Sequence, residues 1–366
     1  MNSPSASARR RSGLFPEPPI RLMIVDDSSV ARAVLSRMIA AHSDFEVAAL
    51  AGNATEALDA LKTVKVDIVL LDVEMPGTNG IEALPDILAA GDGARVLIVS
   101  SMAEEGAEVT VRALAQGAAD TLPKPGTGYF AGRFSEVLAE RVRQIGRVTR
   151  EQERPARSEP PREIRLRDMP EGELGCVALG ASTGGLRALI DFFRPLPKRL
   201  GAPILVTQHL PAIFMPYFAR QIEAASGRVA RVVADGEKLV DEVIHVAPGD
   251  AHLCLERRGL DVLARHDDGK AESGCLPSVD PMLASVADAY GDTALGVMLS
   301  GMGRDGLIGS RRLVEAGGAM FVQDQHSSAI WGMPRVVAEA GLASAVLPPA
   351  DLARRVALYA KGGSWK

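Results

Sequence analysis

Cysteine is scarce in this chain: Cys176, Cys254 and Cys275 are the only three in 366 residues. They are odd in number, far apart, form no CxxC pair and have no partnered His motif, so neither a disulfide framework nor a zinc site is indicated. Aromatic residues make up 4% of the chain and no basic run interleaves with them, which leaves nucleic-acid recognition without its stacking and phosphate-binding groups. No apolar run approaches the ~18 to 20 residues of a bilayer span, so no membrane insertion is expected. Charge of one sign is missing too, since 41 Lys plus Arg against 46 Asp plus Glu leave a net charge of −5. Arg9, Arg10 and Arg11 are followed by no apolar signal core, and Pro16, Pro18 and Pro19 interrupt what comes next. Residues 1–20 therefore read as a disordered tail and the chain as cytoplasmic.

What is present is an ordinary soluble composition, 47% apolar and 24% charged, in a length that predicts two or three domains. The stretch Arg147 to Glu173, with seven Arg, seven acids and four Pro, has too little apolar surface to bury and reads as a linker. Before it, in residues 21–146, short apolar runs (Leu22 to Val25, Ile68 to Leu71, Val96 to Val99) alternate with stretches of helical period. The alternation resumes over 174–360. Both halves are thus expected to be α/β domains built on doubly wound, mainly parallel sheets. Gly341 to Lys366 reads as a closing strand and helix.

In the first half, Asp26 and Asp27 follow one apolar run and Asp72 another. The carboxyl ends of neighbouring parallel strands converge on one crevice, so three hard oxygen ligands suited to Mg²⁺ are expected to meet there. The competing reading is that each is a helix N-cap. Ser100 ends a third run and Lys124 follows a fourth, bringing a hydroxyl and an ammonium to the same crevice. These residues, in MIVDDS, LLDVEMPGTNG, IVSS and LPKP, resemble the response-regulator receiver family. The resemblance implies that Asp72 accepts a phosphoryl group from a histidine kinase. It also implies that Asp26, Asp27 and Asp72, with the backbone carbonyl of Glu74, hold Mg²⁺, and that Ser100 and Lys124 answer the phosphoryl group. The sequence departs from the family pattern at Thr121, where receivers often carry a switching aromatic residue.

In the second half, CVALGASTGGLRALIDFF carries Gly180-x-Ser182-x-Gly184, the sharp strand-to-helix turn that can lift a nucleophilic hydroxyl clear of a sheet. A glycine loop for phosphate, or Ser182 or Thr183 as a simple cap, are the alternatives. A serine nucleophile requires a base and a carboxylate to orient it. Of six histidines, His209 is best placed, following the strand ILVTQ; His252 reads as a structural turn or hairpin residue, and His42, His245, His266 and His326 lack suitable partners. Asp305, directly after the strand LGVML and flanked by Gly301, Gly303 and Gly306, is the carboxylate candidate.

These residues lie in GASTGG, TQHLP, HVAPGDAH, PSVD, LSGMGRDG and WGMPR, which together resemble the catalytic domain of the CheB family of chemotaxis protein-glutamate methylesterases. The order receiver, linker, esterase also fits that family. The resemblance implies Ser182 as nucleophile, His209 as base and acid, Asp305 as its orienting group, and the backbone amides of Thr183 and Met302 as an oxyanion hole. It implies no cofactor for the esterase step, methyl-accepting chemotaxis receptors as substrate, a CheA-type kinase as phosphodonor, and glutamine deamidation as a second activity. Two departures stand out. Ser273 to Leu276 replaces a stretch that is often basic, and Ser300 replaces a common Thr. The readings weighed against an esterase of this kind are a phosphorylation-controlled binding module with an inactive hydrolase domain, and an esterase for a small metabolite.

Overall fold

The computed structural model describes residues 18–76, 79–100, 104–124, 131–153 and 164–361. Residues 1–17 of the expected tail and 154–163 of the expected linker lie outside the described residues, as does the side chain of Ser100.

Five apolar segments form the first sheet: β1 (Ile20–Val25), β2 (Phe45–Ala51), β3 (Ile68–Leu71), β4 (Arg95–Ser100) and β5 (Asp120–Pro123). They are all parallel and ordered β2-β1-β3-β4-β5. Leu22, Ile24, Ile68, Leu70 and Leu97 face one side and Met23, Val25, Val69, Leu71 and Val96 the other, each set buried in its own hydrophobic cluster. A sheet covered on both faces explains why its strands are continuous apolar runs rather than alternating ones. The helices α1 (Ser29–Ala40), α2 (Ala54–Leu61), α3 (Gly80–Ala90), α4 (Glu104–Gln116) and α5 (Ala131–Glu153) supply that cover. Ser28, Asn53 and Asn79 cap the first three by accepting from backbone amides three residues on. Helix α5 runs past the boundary expected at residue 146 and takes up the first turns of the stretch expected as linker.

The second sheet has seven parallel strands: β6 (Cys176–Ala181), β7 (Ile204–Gln208), β8 (Ala230–Val232), β9 (Ile244–Val246), β12 (Ala294–Met298), β13 (Ala319–Gln323) and β14 (Ala343–Leu347). Their order is β14-β13-β12-β6-β7-β9-β8. β10 (His252–Arg258) and β11 (Asp261–Asp267) make a separate antiparallel hairpin. The helices are α6 (Gly185–Phe193), α7 (Met215–Ser226), α8 (Val279–Tyr290), α9 (Leu307–Glu315), α10 (Met333–Glu339) and α11 (Pro349–Tyr359). The closing strand and helix expected after Gly341 are β14 and α11. No helix among the described residues is long and apolar enough to cross a membrane.

The expected α/β architecture of two mainly parallel sheets is thus the one observed. The two halves also meet. α4 packs on α6 and α7, and Ile330 is buried in the cluster that contains Phe134 and Leu138 of α5, with Met302 packed against it.

Candidate active site

β12, β6 and β7 are neighbours at the centre of the second sheet, and the three triad candidates lie just beyond their carboxyl ends. Ser182 ends β6, His209 ends β7, and Asp305 sits in the loop after β12. His209 Nδ1 is 3.1 Å from Ser182 Oγ, and His209 Nε2 is 2.7 Å from Asp305 Oδ2. An ionised carboxylate only accepts hydrogen bonds, so Nε2 carries the proton, and in the neutral ring Nδ1 is left as an acceptor for the serine hydroxyl.

The local sequence enforces this placement. Gly184 has φ +73°, and a Cβ there would come 2.3 Å from the Ala329 Cβ, so the turn after Ser182 is built for glycine. Gly301 is equally constrained, because a Cβ there would lie 2.9 Å from the Ser182 Cβ and 2.4 Å from the Met333 Sδ. Gln208 Nε2 donates to the Ser182 carbonyl at 2.8 Å, and Ser300 Oγ donates to the Thr183 carbonyl at 2.8 Å while accepting from the Ile330 amide. The backbone amides of Thr183 and Met302 have no acceptor among the described residues. Two unpaired donors on the loops that flank Ser182 suit an oxygen on which negative charge develops.

Asp305 is 2% exposed and held at both oxygens. Ser278 Oγ donates to Oδ1 at 2.6 Å and the Val279 amide to Oδ2 at 2.7 Å. Behind them, the Ser278 amide donates to His252 Nδ1 at 2.9 Å, and the other ring nitrogen of His252 lies 2.9 Å from the Gly269 carbonyl. Burial pushes the Asp305 carboxyl up, but the His209, Ser278 and Val279 hydrogen bonds outweigh it and hold the group well below the usual carboxylate range. For His209, burial pulls the ring down, while its hydrogen bond to Asp305 and the adjacent Cys275 prevail and raise it to about 9. Asp280, buried beside Asp305, is pushed up to about 6 by burial and by its anionic neighbour.

Ser278 and Cys275 received no role from the sequence. Ser278 lies in PSVD, and in the fold it caps α8 by accepting from the Asp280 amide. Its contact with Asp305 spans 27 positions, which local pattern does not encode. His252 opens the hairpin, in keeping with its structural reading. On the solvent side of Asp305 lies a cleft of about 540 Å³, lined in part by Cys275, Met302, Arg304 and Ile308.

At the first sheet, Asp26, Asp27 and Asp72 bring ligand oxygens within 4.8 Å of one another. Lys124 Nζ lies 2.7 Å from Asp72 Oδ2 and 2.9 Å from Asp26 Oδ2. Three carboxylates converging on one crevice offer the hard oxygen donors that a divalent cation takes. Burial raises the Asp72 carboxyl, the Asp26 charge adds to the rise, and the Lys124 ammonium opposes it. Ser100 ends the neighbouring strand β4, and the side chain of Glu74 is exposed. Thr121 is buried, with its amide on Asp120 Oδ1 at 2.8 Å.

The first half reaches the second at Ser182. Thr183 Oγ1 donates to Asp120 Oδ2 at 2.7 Å, Arg141 pairs with the same carboxylate, and the Gly184 amide donates to the Ala119 carbonyl at 2.8 Å. Ser182 is 7% exposed as a result of its position between the sheets.

A Ser-His-Asp constellation on a parallel α/β sheet, covered by a doubly wound domain with an acidic crevice, defines a serine hydrolase of the receiver-linked class. Residues 177–356 match the family model described as CheB methylesterase, and residues 22–128 match that of the response regulator receiver domain. The chain is 38% identical over 359 residues to protein-glutamate methylesterase/protein-glutamine glutaminase 1 of Paramagnetospirillum magneticum, covering 91% of this chain and 94% of that one. It is 40% identical to protein-glutamate methylesterase/protein-glutamine glutaminase 2 of Caulobacter vibrioides, over 90% and 95% of the two chains. Among solved structures, the CheB methylesterase catalytic domain of Thermotoga maritima is 32% identical, with a TM-score of 0.49, over 51% of this chain and 98% of that one. The chain belongs to the CheB family of receiver-linked protein-glutamate methylesterases.

Proposed function

We propose that this chain is a phosphorylation-activated esterase that removes methyl groups, as methanol, from glutamate methyl esters of chemoreceptors, and deamidates receptor glutamines with the same machinery. The observation that carries the reading is the unbroken chain of hydrogen bonds from Ser182 through His209 to Asp305. Ser182 Oγ attacks the γ-carbonyl carbon as His209 Nδ1 takes its proton. The oxyanion forms beside the Thr183 and Met302 amides, and the ring then returns the proton to the leaving methoxide. Water, deprotonated by the same nitrogen, attacks the acyl-serine; the glutamate carboxylate leaves and the serine hydroxyl is restored. A docking module without chemistry would gain nothing from two donors fixed on Asp305.

We assign residues 21–146 to the receiver, 147–173 to a connection whose first turns are helical, and 174–360 to the esterase. Asp72 is the phosphoryl acceptor and a CheA-type histidine kinase the phosphodonor. Asp26, Asp27, Asp72 and the Glu74 carbonyl would hold Mg²⁺, which when bound offsets the carboxylate charge as the phosphoryl group arrives. Ser100 and Lys124 respond to the phosphoryl group. The contacts of Ala119 and Asp120 with the Ser182 turn support a receiver that covers the site until phosphorylation releases it. Three unpaired cysteines accord with a reducing, cytoplasmic setting.

The test is methanol release from methylated receptor by wild type and Ser182→Ala, each with and without a small phosphodonor. Stimulated release that vanishes in Ser182→Ala supports the reading. Undiminished release by Ser182→Ala removes Ser182 as nucleophile.

A further inference from the structure

Cys275 lies in the stretch Ser273 to Leu276, where this sequence departs from the family pattern, and the fold sets it against the catalytic ring. A ring nitrogen of His209, the Sγ of Cys275 and a carboxylate oxygen of Asp305 all lie within 4.8 Å of one another. A tetrahedral ion with bonds of about 2.0 to 2.3 Å spaces its ligands about 3.3 to 3.8 Å apart. Rotation about the single side-chain bond that carries the sulfur of the half-buried Cys275 adjusts its distance to the other two donors, while His209 Nε2, if it is the ligand, would part from Asp305 Oδ2, now 2.7 Å away, by about 0.6 Å to reach that spacing.

The chemistry of the three donors selects the ion. A thiolate, an imidazole and a carboxylate suit a borderline-soft divalent cation, whereas Mg²⁺ takes hard oxygen ligands and avoids sulfur. The cleft beside them leaves room for water in a fourth position. Three carboxylates, of Glu272, Asp280 and Asp305, line that cleft against one guanidinium, of Arg304, so its electrostatics favour a cation. Among the described residues, the metal-ligating group in the crevice of the first sheet consists of carboxylates alone, and the two candidate sites therefore differ in the metals they take.

We propose that His209, Cys275 and Asp305 form a Zn²⁺ site that switches the esterase off. The inference rests on the assignment of His209 as the catalytic base. Binding releases the thiol proton to solvent and occupies one ring nitrogen with the metal. A metal on Nδ1 removes the acceptor for the Ser182 proton; a metal on Nε2 requires the single proton of the neutral ring to move from Nε2 to Nδ1, which then donates and no longer accepts. In both cases the serine loses its base. A thiol at this position thereby gives the enzyme a sensitivity to free zinc that a basic residue there would not provide.

The test uses the full chain with two readouts. Co²⁺ added to the Mg²⁺-loaded protein is expected to give the thiolate-to-metal charge-transfer absorption of a cysteine-ligated ion, absent in Cys275→Ala, which keeps Cys176 and Cys254. Zn²⁺ titrated into the methanol-release assay, each form normalised to its own metal-free rate, is expected to inhibit the wild type at a concentration at least about tenfold lower than Cys275→Ala, as the loss of a metal-site group predicts. No charge-transfer band in the wild type, or half-inhibition at the same Zn²⁺ concentration in both forms, overturns the proposal. A cysteine-dependent Co²⁺ band that His209→Ala abolishes, in a protein that releases no methanol, upholds the metal site and removes only the esterase reading.

Discussion

Thr183 and Asp120 share a 2.7 Å hydrogen bond between the residue after the candidate nucleophile and the first residue of β5 in the receiver, 63 positions earlier in the chain. Both groups are buried, and Arg141 neutralises the carboxylate from the other side. A hydrogen bond to a charged group contributes about 1.5 to 3 kcal/mol, and 1.4 kcal/mol is tenfold in an equilibrium. Asp120→Asn removes the charge but keeps the shape. It is expected to raise the unstimulated esterase rate on the order of tenfold, while the rate with saturating phosphodonor stays as in wild type. An unchanged unstimulated rate would show that this contact does not hold the covered state.

If Asp72 is the phosphoryl acceptor, replacing it with Asn is expected to abolish phosphoryl acceptance and, with it, stimulation by phosphodonor, while the basal rate stays near that of wild type. The substitution also relieves a carboxyl whose charge burial disfavours, so no loss of stability accompanies it. Methanol release over a phosphodonor titration checks the first expectation, and thermal unfolding the second.

Ser278→Ala leaves Asp305 Oδ1 without its 2.6 Å donor inside a buried site. Loss of such a bond costs about 1.5 to 3 kcal/mol, so kcat is expected to fall roughly ten- to a hundredfold, with KM for the receptor little altered. A raised KM with kcat unchanged would place Ser278 in substrate binding instead of in support of the triad.

His209 is raised to about 9, and only its neutral ring can accept the serine proton. The esterase rate is therefore expected to climb with pH through that value instead of levelling near the ordinary 6.5 of histidine. The sign for stability is opposite. A folded-state value above the unfolded one favours the folded protein in full below about 6.5, and that contribution is lost as pH rises through about 9. Asp305→Asn removes the largest of the raising partners and should move the ring downward. Ring-proton chemical shifts of His209, followed against pH with chelator present, check both forms.

Strand ends made most of this protein legible in its sequence. Asp26, Asp72, Ser182, His209 and Asp305 each follow an apolar run, and parallel topology then brings such positions together whatever their separation in the chain. Strands β3 and β7 fall on the apolar runs Ile68 to Leu71 and ILVTQ. The connection was harder to read, because a charged, proline-containing composition does not mark where a helix stops, and α5 continues to Glu153. Ser278 and Cys275 were missed for a different reason. Their partners Asp305 and His209 come from distant segments, and an N-cap serine or a lone cysteine has the same local pattern whether or not such a partner exists.

The Ala119 carbonyl has a consequence for how regulation should appear in kinetics. It accepts from the Gly184 amide, at the turn a substrate ester must approach. Under the proposed function the receiver would contend with the receptor for one seat, as a competitive inhibitor joined to its own target. A tethered competitor acts at a fixed effective concentration, and the affinity for substrate is reduced by the fraction of molecules that are uncovered. Phosphorylation would then be felt first as a lower KM, with kcat nearly constant once receptor is abundant. Crowded receptors would partly override the receiver even without a kinase.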